Sequence, residues 1–137
     1  TIEASGIAVA VPIAQRFHVP VVFAKKAKSK NIGDGVYTSH VHSYTYNKDF
    51  TVTVSKDYLN EDDHILIVDD FLKGGGTISG MISLLKEFES ELVGVAVFAE
   101  NAQKEREHLF DYKSLLTVSE IDVKNNLVKV ELGNIFQ

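Results

Sequence analysis

Apolar runs broken by glycines and acidic pairs set the rhythm of this chain. Ile65 to Val68 is an unbroken aliphatic run, the pattern of a strand buried on both faces of a parallel sheet. It ends in Asp69-Asp70, passes through Phe71-Leu72-Lys73-Gly74-Gly75-Gly76, and from Thr77 places Ile78, Met81, Ile82, Leu85 and Phe88 at helical spacing. Leu92 to Ala99 repeats the buried-strand pattern and ends at Glu100-Asn101. Upstream, apolar residues at 7, 10, 11, 14 and 17 predict a helix over Gly6 to Phe17, with Pro12 kinking it or sitting within its first turns. Val19 to Ala24 predicts another buried strand, and Ser29 to Gly35, polar with two glycines, a mobile loop. Val36 to Thr45 and Phe50 to Ser55 are rich in β-branched and aromatic residues and predict a hairpin with Asn47-Lys48-Asp49 between its strands.

In that hairpin Val41, Ser43 and Thr45 alternate with His40, His42, Tyr44 and Tyr46, which predicts one wet face. His40 and His42 point the same way, but no third ligand stands at a recognisable spacing, so exposed strand residues are expected rather than metal ligands. Lys104 to Phe110 reads as a short charged helix. Leu115 to Val118 and Leu127 to Leu132 read as closing strands split by a Lys124-Asn125-Asn126 turn. Together these elements predict a single α/β domain over residues 1–137, with a central, mainly parallel sheet flanked by helices.

Composition narrows the function classes. The chain has 137 residues, 45% apolar and 24% charged, ordinary for one globular domain with a real core. A formal charge of −5 argues against a duplex nucleic-acid surface, which needs clustered excess base. There is no cysteine, hence no disulfide framework or thiol chemistry. No apolar run approaches the ~20 residues that span a bilayer, and a cytoplasmic protein is expected.

The glycines between a strand's carboxyl end and a helix's amino end carry the chemistry. Backbone N–H groups there lack intrahelical partners, and glycine lets an oxyanion approach them closely, so a phosphate fits. Adjacent strand residues point to opposite sides, so Asp69 and Asp70 are expected to flank a polyhydroxyl group such as a ribose rather than grip one small ion. A P-loop is excluded because Lys73 precedes the glycines. A dinucleotide fingerprint is excluded because Gly74, Gly76 and Gly80 have the wrong spacing. By default Lys25, Lys26, Lys28 and Lys30 are a solvated charge run.

Apolar strand, two acidic residues, a loop rich in glycine and threonine, then a helix: this order resembles the ribosyl 5′-phosphate signature of the type I phosphoribosyltransferases. Thr1-Ile2-Glu3-Ala4-Ser5-Gly6-Ile7 resembles the diphosphate loop of xanthine phosphoribosyltransferases. Val19 to Lys26 resembles that group's next strand and its basic end. The resemblance implies a type I phosphoribosyltransferase fold whose first core strand and purine hood would precede Thr1, so that the sheet here would lack a strand.

It implies a pentosyltransferase that moves 5-phosphoribosyl from phosphoribosyl diphosphate to xanthine, guanine or hypoxanthine in purine salvage. Asp69, Asp70 and Lys26 would be the catalytic residues. Asp69 and Asp70 would hold the ribose, and Lys73, Gly74, Gly75, Gly76 and Thr77 the 5′-phosphate. Glu3, Ala4, Ser5, Gly6, Lys25 and Lys26 would hold the diphosphate, and Phe71, Glu100 and Asn101 would face the purine. Mg2+ would bind through the sugar diphosphate rather than through protein ligands. The loop Ser29 to Gly35 would be a lid, and a homodimer is implied.

Two features depart from the enzymes. Asn101 stands where a lysine is expected after the glutamate. Lys73 to Thr77 and Tyr112 to Ser119 also resemble the effector domains of Gram-positive purine operon repressors, which sense phosphoribosyl diphosphate without catalysis. Neither reading gives this domain itself a membrane or nucleic-acid partner.

Overall fold

The structure, a computed structural model, describes residues 1–27, 33–43, 47–102 and 110–137. Among the described residues two α-helices, a short 3-10 helix and two sheets make the fold. The larger sheet has the order β4 (His64–Leu72), β5 (Glu91–Asn101), β6 (Lys113–Asp122) and β7 (Leu127–Leu132). Its first three strands are parallel and β7 closes it antiparallel. The smaller sheet is antiparallel, with β3 (Lys48–Ser55) between β1 (Lys25–Lys26) and β2 (Val36–Ser43).

Helix α2 (Gly76–Phe88) joins the two sheets. Its Ile78, Met81, Leu84, Leu85 and Phe88 share one core with Val41, Val52 and Val54 of the hairpin and Ile67, Leu72, Val95 and Val97 of the larger sheet. Phe88 also meets Tyr37 edge-on at 4.7 Å between ring centroids. The helical spacing read from the sequence thus serves two layers at once, and the mainly parallel sheet with flanking helices is as expected.

The helix predicted over Gly6 to Phe17 is α1 (Ser5–Phe17), which lies against β4. Its buried face is narrower than the apolar pattern suggests. Gly6, Ala10 and Ala14 are covered, whereas Val11 and Phe17 are exposed. Small residues four apart let the helix sit close to the strand, and bulkier neighbours are turned out. Pro12 lies well inside the helix, on its exposed side, not in the first turn.

Several boundaries differ from the sequence reading. Val19 to Ala24 does not form a strand: only Ala24 makes a bridge, parallel to Ile2, and Val19 is 54% exposed. Val19 N–H turns back to Ala14 O of α1, and the bonds to the start of the chain lie at the segment's far end, from Thr1 N to Val22 O, from Ala24 N to Thr1 O and from Glu3 N to Ala24 O. A parallel strand needs a neighbour along its whole length, and here the pairing ends after one bridge. Lys48 and Asp49 belong to β3, opposite Ser43 and His42, rather than to the hairpin turn; Asn47, with φ 47°, leads into the strand. Strand β4 runs on through both aspartates to Leu72. The turn at Lys124 to Asn126 forms as expected, with Asp122 Oδ1 accepting the N–H groups of Lys124 and Asn125. All but Phe110 of the helix expected over Lys104 to Phe110, and most of the lid expected over Ser29 to Gly35, lie outside the described residues, as do Tyr44 to Tyr46. Among the described residues no helix is long and apolar enough to cross a membrane.

Candidate functional site

The carboxyl end of β4 leads through Lys73 and Gly74 to Gly75, whose φ of 87° is the left-handed conformation that favours glycine. That residue turns the chain from strand into helix. The first bond of α2 runs from Ser79 N to Gly75 O at 2.9 Å, and no side chain caps the helix. The N–H groups of Gly76, Thr77 and Ile78 therefore project from the helix end. They open on a cavity walled by the Lys73–Ile78 loop, Asp69, Phe71 and His42. Convergent amides at the positive end of a helix dipole, with a lysine and a hydroxyl beside them, suit a phosphate.

Asp69 is 7% exposed, and Asp70 is half-buried. Strand alternation separates their Cβ atoms, yet the Asp69 carboxyl accepts the Asp70 N–H at 3.0 Å and shares a hydrogen bond with the Asp70 carboxyl. The opposed pair expected from alternation is in fact in contact. Burial, followed by the hydrogen bond and charge of Asp70, pushes the Asp69 carboxyl up from 3.8 to about 7. Below about pH 7 the Asp69 carboxyl thus holds a proton.

The loop at residues 1–6 reaches this pair directly. A Cβ on Gly6 would collide with Thr1 Oγ1 and stand 3.0 Å from Asp69 Oδ1, so only glycine lets the start of α1 approach the carboxylate. Thr1 Oγ1 is itself buried without a hydrogen-bond partner among the described residues. The Glu3–Ala4 peptide is cis. Glu3 is already committed: its N–H goes to Ala24 O, and its Oε1 accepts the Lys26 N–H at 2.7 Å. Ala4, Ser5 and Gly6 are left at the open start of α1, which has no side-chain cap. Lys25 is exposed, and the Lys26 ammonium lies 5.1 Å from the Phe50 ring centroid, over the hairpin.

Glu100, at the end of β5, is 8% exposed and turned into the sheet. It accepts hydrogen bonds from Tyr112 Oη (2.6 Å), Ser114 Oγ (2.6 Å) and Thr117 Oγ1 (3.2 Å). Ser114 in turn is bound twice by Asn134, at the short 3-10 turn Asn134–Phe136. Asn101 is half-buried at the strand end, and Phe71 is 37% exposed.

Sequence reasoning left two residues out of the site, Thr1 and His42. Only tertiary packing places His42 there, and its sequence trace is Gly80: a Cβ at that position would collide with Val41 Cγ2 and stand 3.2 Å from His40 O. As expected of the wet hairpin face, His40 is exposed and Val41 buried. His40 and His42 bond across the strands to Thr51 and Asp49. Among the described residues no group of three or more His, Asp or Glu could hold a metal ion.

The chain is 48% identical over 136 residues to a protein named "Probable purine biosynthesis transcriptional regulator PurR" from Streptococcus pneumoniae, a match covering 99% of this chain and 50% of that protein. The chain thus spans about half the length of that regulator. It is 43% identical over 135 residues to the xanthine phosphoribosyltransferase of Bifidobacterium adolescentis, covering 94% of this chain and 70% of that enzyme. Its fold matches the crystal structure of adenine phosphoribosyltransferase from Thermoanaerobacter pseudethanolicus with a TM-score of 0.67, at 23% identity, over 85% of this chain and 67% of that one. The phosphoribosyl transferase domain pattern runs from residue 1 to residue 133, and the chain therefore belongs to the phosphoribosyl transferase domain family.

Proposed function

We propose that this chain binds phosphoribosyl diphosphate and serves as the ligand-sensing domain of a purine-responsive transcriptional regulator. Its transferase fold then works as a receptor rather than a catalyst. The observation that carries the choice is Glu100. Three hydroxyls of one neighbouring segment occupy the carboxylate that the resemblance would set against the purine. Beside it stands Asn101, not a lysine. At Glu100 and Asn101 there is thus no open charged group to read an oxopurine, while the start of α2 keeps its uncapped amide donors. Likeness to the pneumococcal regulator over nearly all of this chain supports the same reading.

In this reading the loop Lys73 to Thr77 takes the 5′-phosphate, and Asp69 and Asp70 take the ribose hydroxyls. Ala4, Ser5 and Gly6 supply amides to the diphosphate, with Lys25 and Lys26 as counter-charge. Glu3 acts indirectly by tying Lys26 to the loop. Mg2+ fits as a companion of the ligand: this hard cation would neutralise diphosphate oxygens rather than rely on protein ligands. A cytoplasmic homodimer that contacts DNA through other segments completes the reading.

A second reading, oxopurine transferase, is favoured by the likeness to the Bifidobacterium enzyme and by the shared diphosphate loop. There a purine nitrogen would displace diphosphate from C1 through an oxocarbenium-like transition state. The protein would position the ribose and exclude water, and Phe71 and Asn101 would line the base. One experiment separates the two. The full-length protein is given phosphoribosyl diphosphate, Mg2+ and each of xanthine, guanine, hypoxanthine and adenine. Saturable binding of the sugar diphosphate with no nucleotide from any base is expected, and turnover with an oxopurine would replace the sensor by the transferase.

A further inference from the structure

Strand β7 ends the larger sheet, and among the described residues no strand pairs with its outer edge. The whole strand is exposed, and Leu127, Val128, Val130 and Leu132 are large apolar side chains left in solvent. Hydrogen bonding to β6 fixes which backbone groups point away. The Gly133 N–H goes to Leu115 O, and the Lys129 carbonyl accepts Ser119 Oγ. Residues 129, 131 and 133 therefore turn their backbone groups toward β6, and alternation aims the N–H and C=O of Val128, Val130 and Leu132 outward. The side chains of these three share a face with their ladder partners Ile121, Val118 and Leu116. An apolar face two strands wide thus runs out to an open hydrogen-bonding edge, the kind that proteins normally shorten, bend or load with charge.

We infer that this edge pairs with β7 of a second copy of the chain, antiparallel across a two-fold axis at Val130. The charges of the strand select that register. With Val130 opposite itself, Val128 meets the partner's Leu132, and Lys129 falls opposite the partner's Glu131, twice by symmetry. The outward N–H and C=O groups allow only slips of two residues in the pairing, which move the axis by one residue. A slip one way sets Lys129 against the partner's Lys129, and a slip the other way sets Glu131 against the partner's Glu131. Lys129 also lies 2.9 Å from Glu120, on the same side of the sheet, so its position is already held. Backbone bonds and apolar pairs supply the attraction, and the exposed charge pairs set register more than affinity. The inference rests on the homodimer of the proposed function only in giving it a surface, and it leaves the cavity at the start of α2 untouched.

The test is oxidative cross-linking of the full-length protein carrying Val130→Cys, with the linked peptide identified by mass. Opposed Cα atoms of a hydrogen-bonded antiparallel pair lie about 5.5 Å apart, within reach of a disulfide. Leu127 and its copy would stand about 20 Å apart, so Leu127→Cys is expected to link at least about tenfold less. Adding Glu131→Lys or Lys129→Glu to Val130→Cys should lower the yield about tenfold, since each sets like charges opposite. Mixing those two variants restores opposite charges across the axis and should recover a mixed cross-link. No link at position 130, equal yields at 127 and 130, or yields indifferent to charge reversal and mixing would each overturn the assignment. Sedimentation of the wild type separates the two ways of failing. A dimer without the cross-link keeps the homodimer and rejects this edge, and a monomer rejects both.

Discussion

Asp69 and Glu100 end neighbouring parallel strands and are buried to nearly the same extent, 7% and 8% exposed. Their surroundings differ. Glu100 accepts three hydroxyl hydrogen bonds from a single neighbouring segment. Asp69 faces a second carboxyl, one backbone N–H, an unpartnered buried hydroxyl nearby and a cavity lined with amides. Burial is thus common to both, and the three hydroxyl donors belong to one. A buried carboxylate whose donors are supplied internally holds the fold together. One that lacks them is where the proposed function places a ligand.

The contrast breaks most sharply in binding. Asp70→Asn should weaken phosphoribosyl diphosphate binding by about a hundredfold or more, because it removes charge and acceptor capacity from the proposed ribose site. Calorimetric titration of the full-length variant measures it, and an affinity within threefold of wild type would erase the distinction between the two carboxyl sites. Glu100→Gln should do the reverse. Losing the charge-assisted bonds within a buried network should cost about 2–4 kcal/mol of stability in denaturant melts. Sugar diphosphate affinity should change by less than about threefold.

The pH dependence sharpens the same comparison. The folded Asp69 carboxyl titrates at about 7, above its unfolded value of 3.8. The fold therefore favours its protonated form. That contribution to stability is complete below about pH 4 and is lost as pH rises toward and through 7, at up to about 1.4 kcal/mol per pH unit. Chemical denaturation across pH 5 to 8 should show this decline in wild type and a flatter profile in Asp69→Asn. Ligand affinity should run the other way, rising as the carboxyl is deprotonated toward pH 7. The smallest effect belongs to an exposed pair remote from both carboxylates: Lys129→Ala, which removes the 2.9 Å contact with Glu120, should change the midpoint of unfolding by less than about 0.5 kcal/mol.

Much of this was legible in the chain. The apolar run before Asp69, the periodic segment after Thr77 and the glycines between them have local causes, and the structure repeats them as β4, α2 and the turn at Gly75. Gly6 and Gly80 are legible only as glycines, because what each makes room for, Asp69 in one case and the hairpin in the other, comes from far along the sequence. The contact between the two aspartates defied the alternation rule because a side chain can bend back along its own strand. Val19 looked like a strand residue since aliphatic runs do not say whether a pairing neighbour exists. The saturation of Glu100 by Tyr112, Ser114 and Thr117 depends on the β5–β6 pairing and has no periodic signature.

Among the described residues helix α2 is the rod packed on both sheets, with Phe88 at its last turn meeting Tyr37 of the hairpin. On the proposed function, an anion seated at Gly76 would stiffen a joint as well as fill a hole. At a hundred times its dissociation constant such a ligand adds about 2.7 kcal/mol to the folded state. That increment is delivered along the lever between the two layers, so occupancy should be readable as a change in rigidity far from the phosphate, at the Tyr37 end of the hairpin.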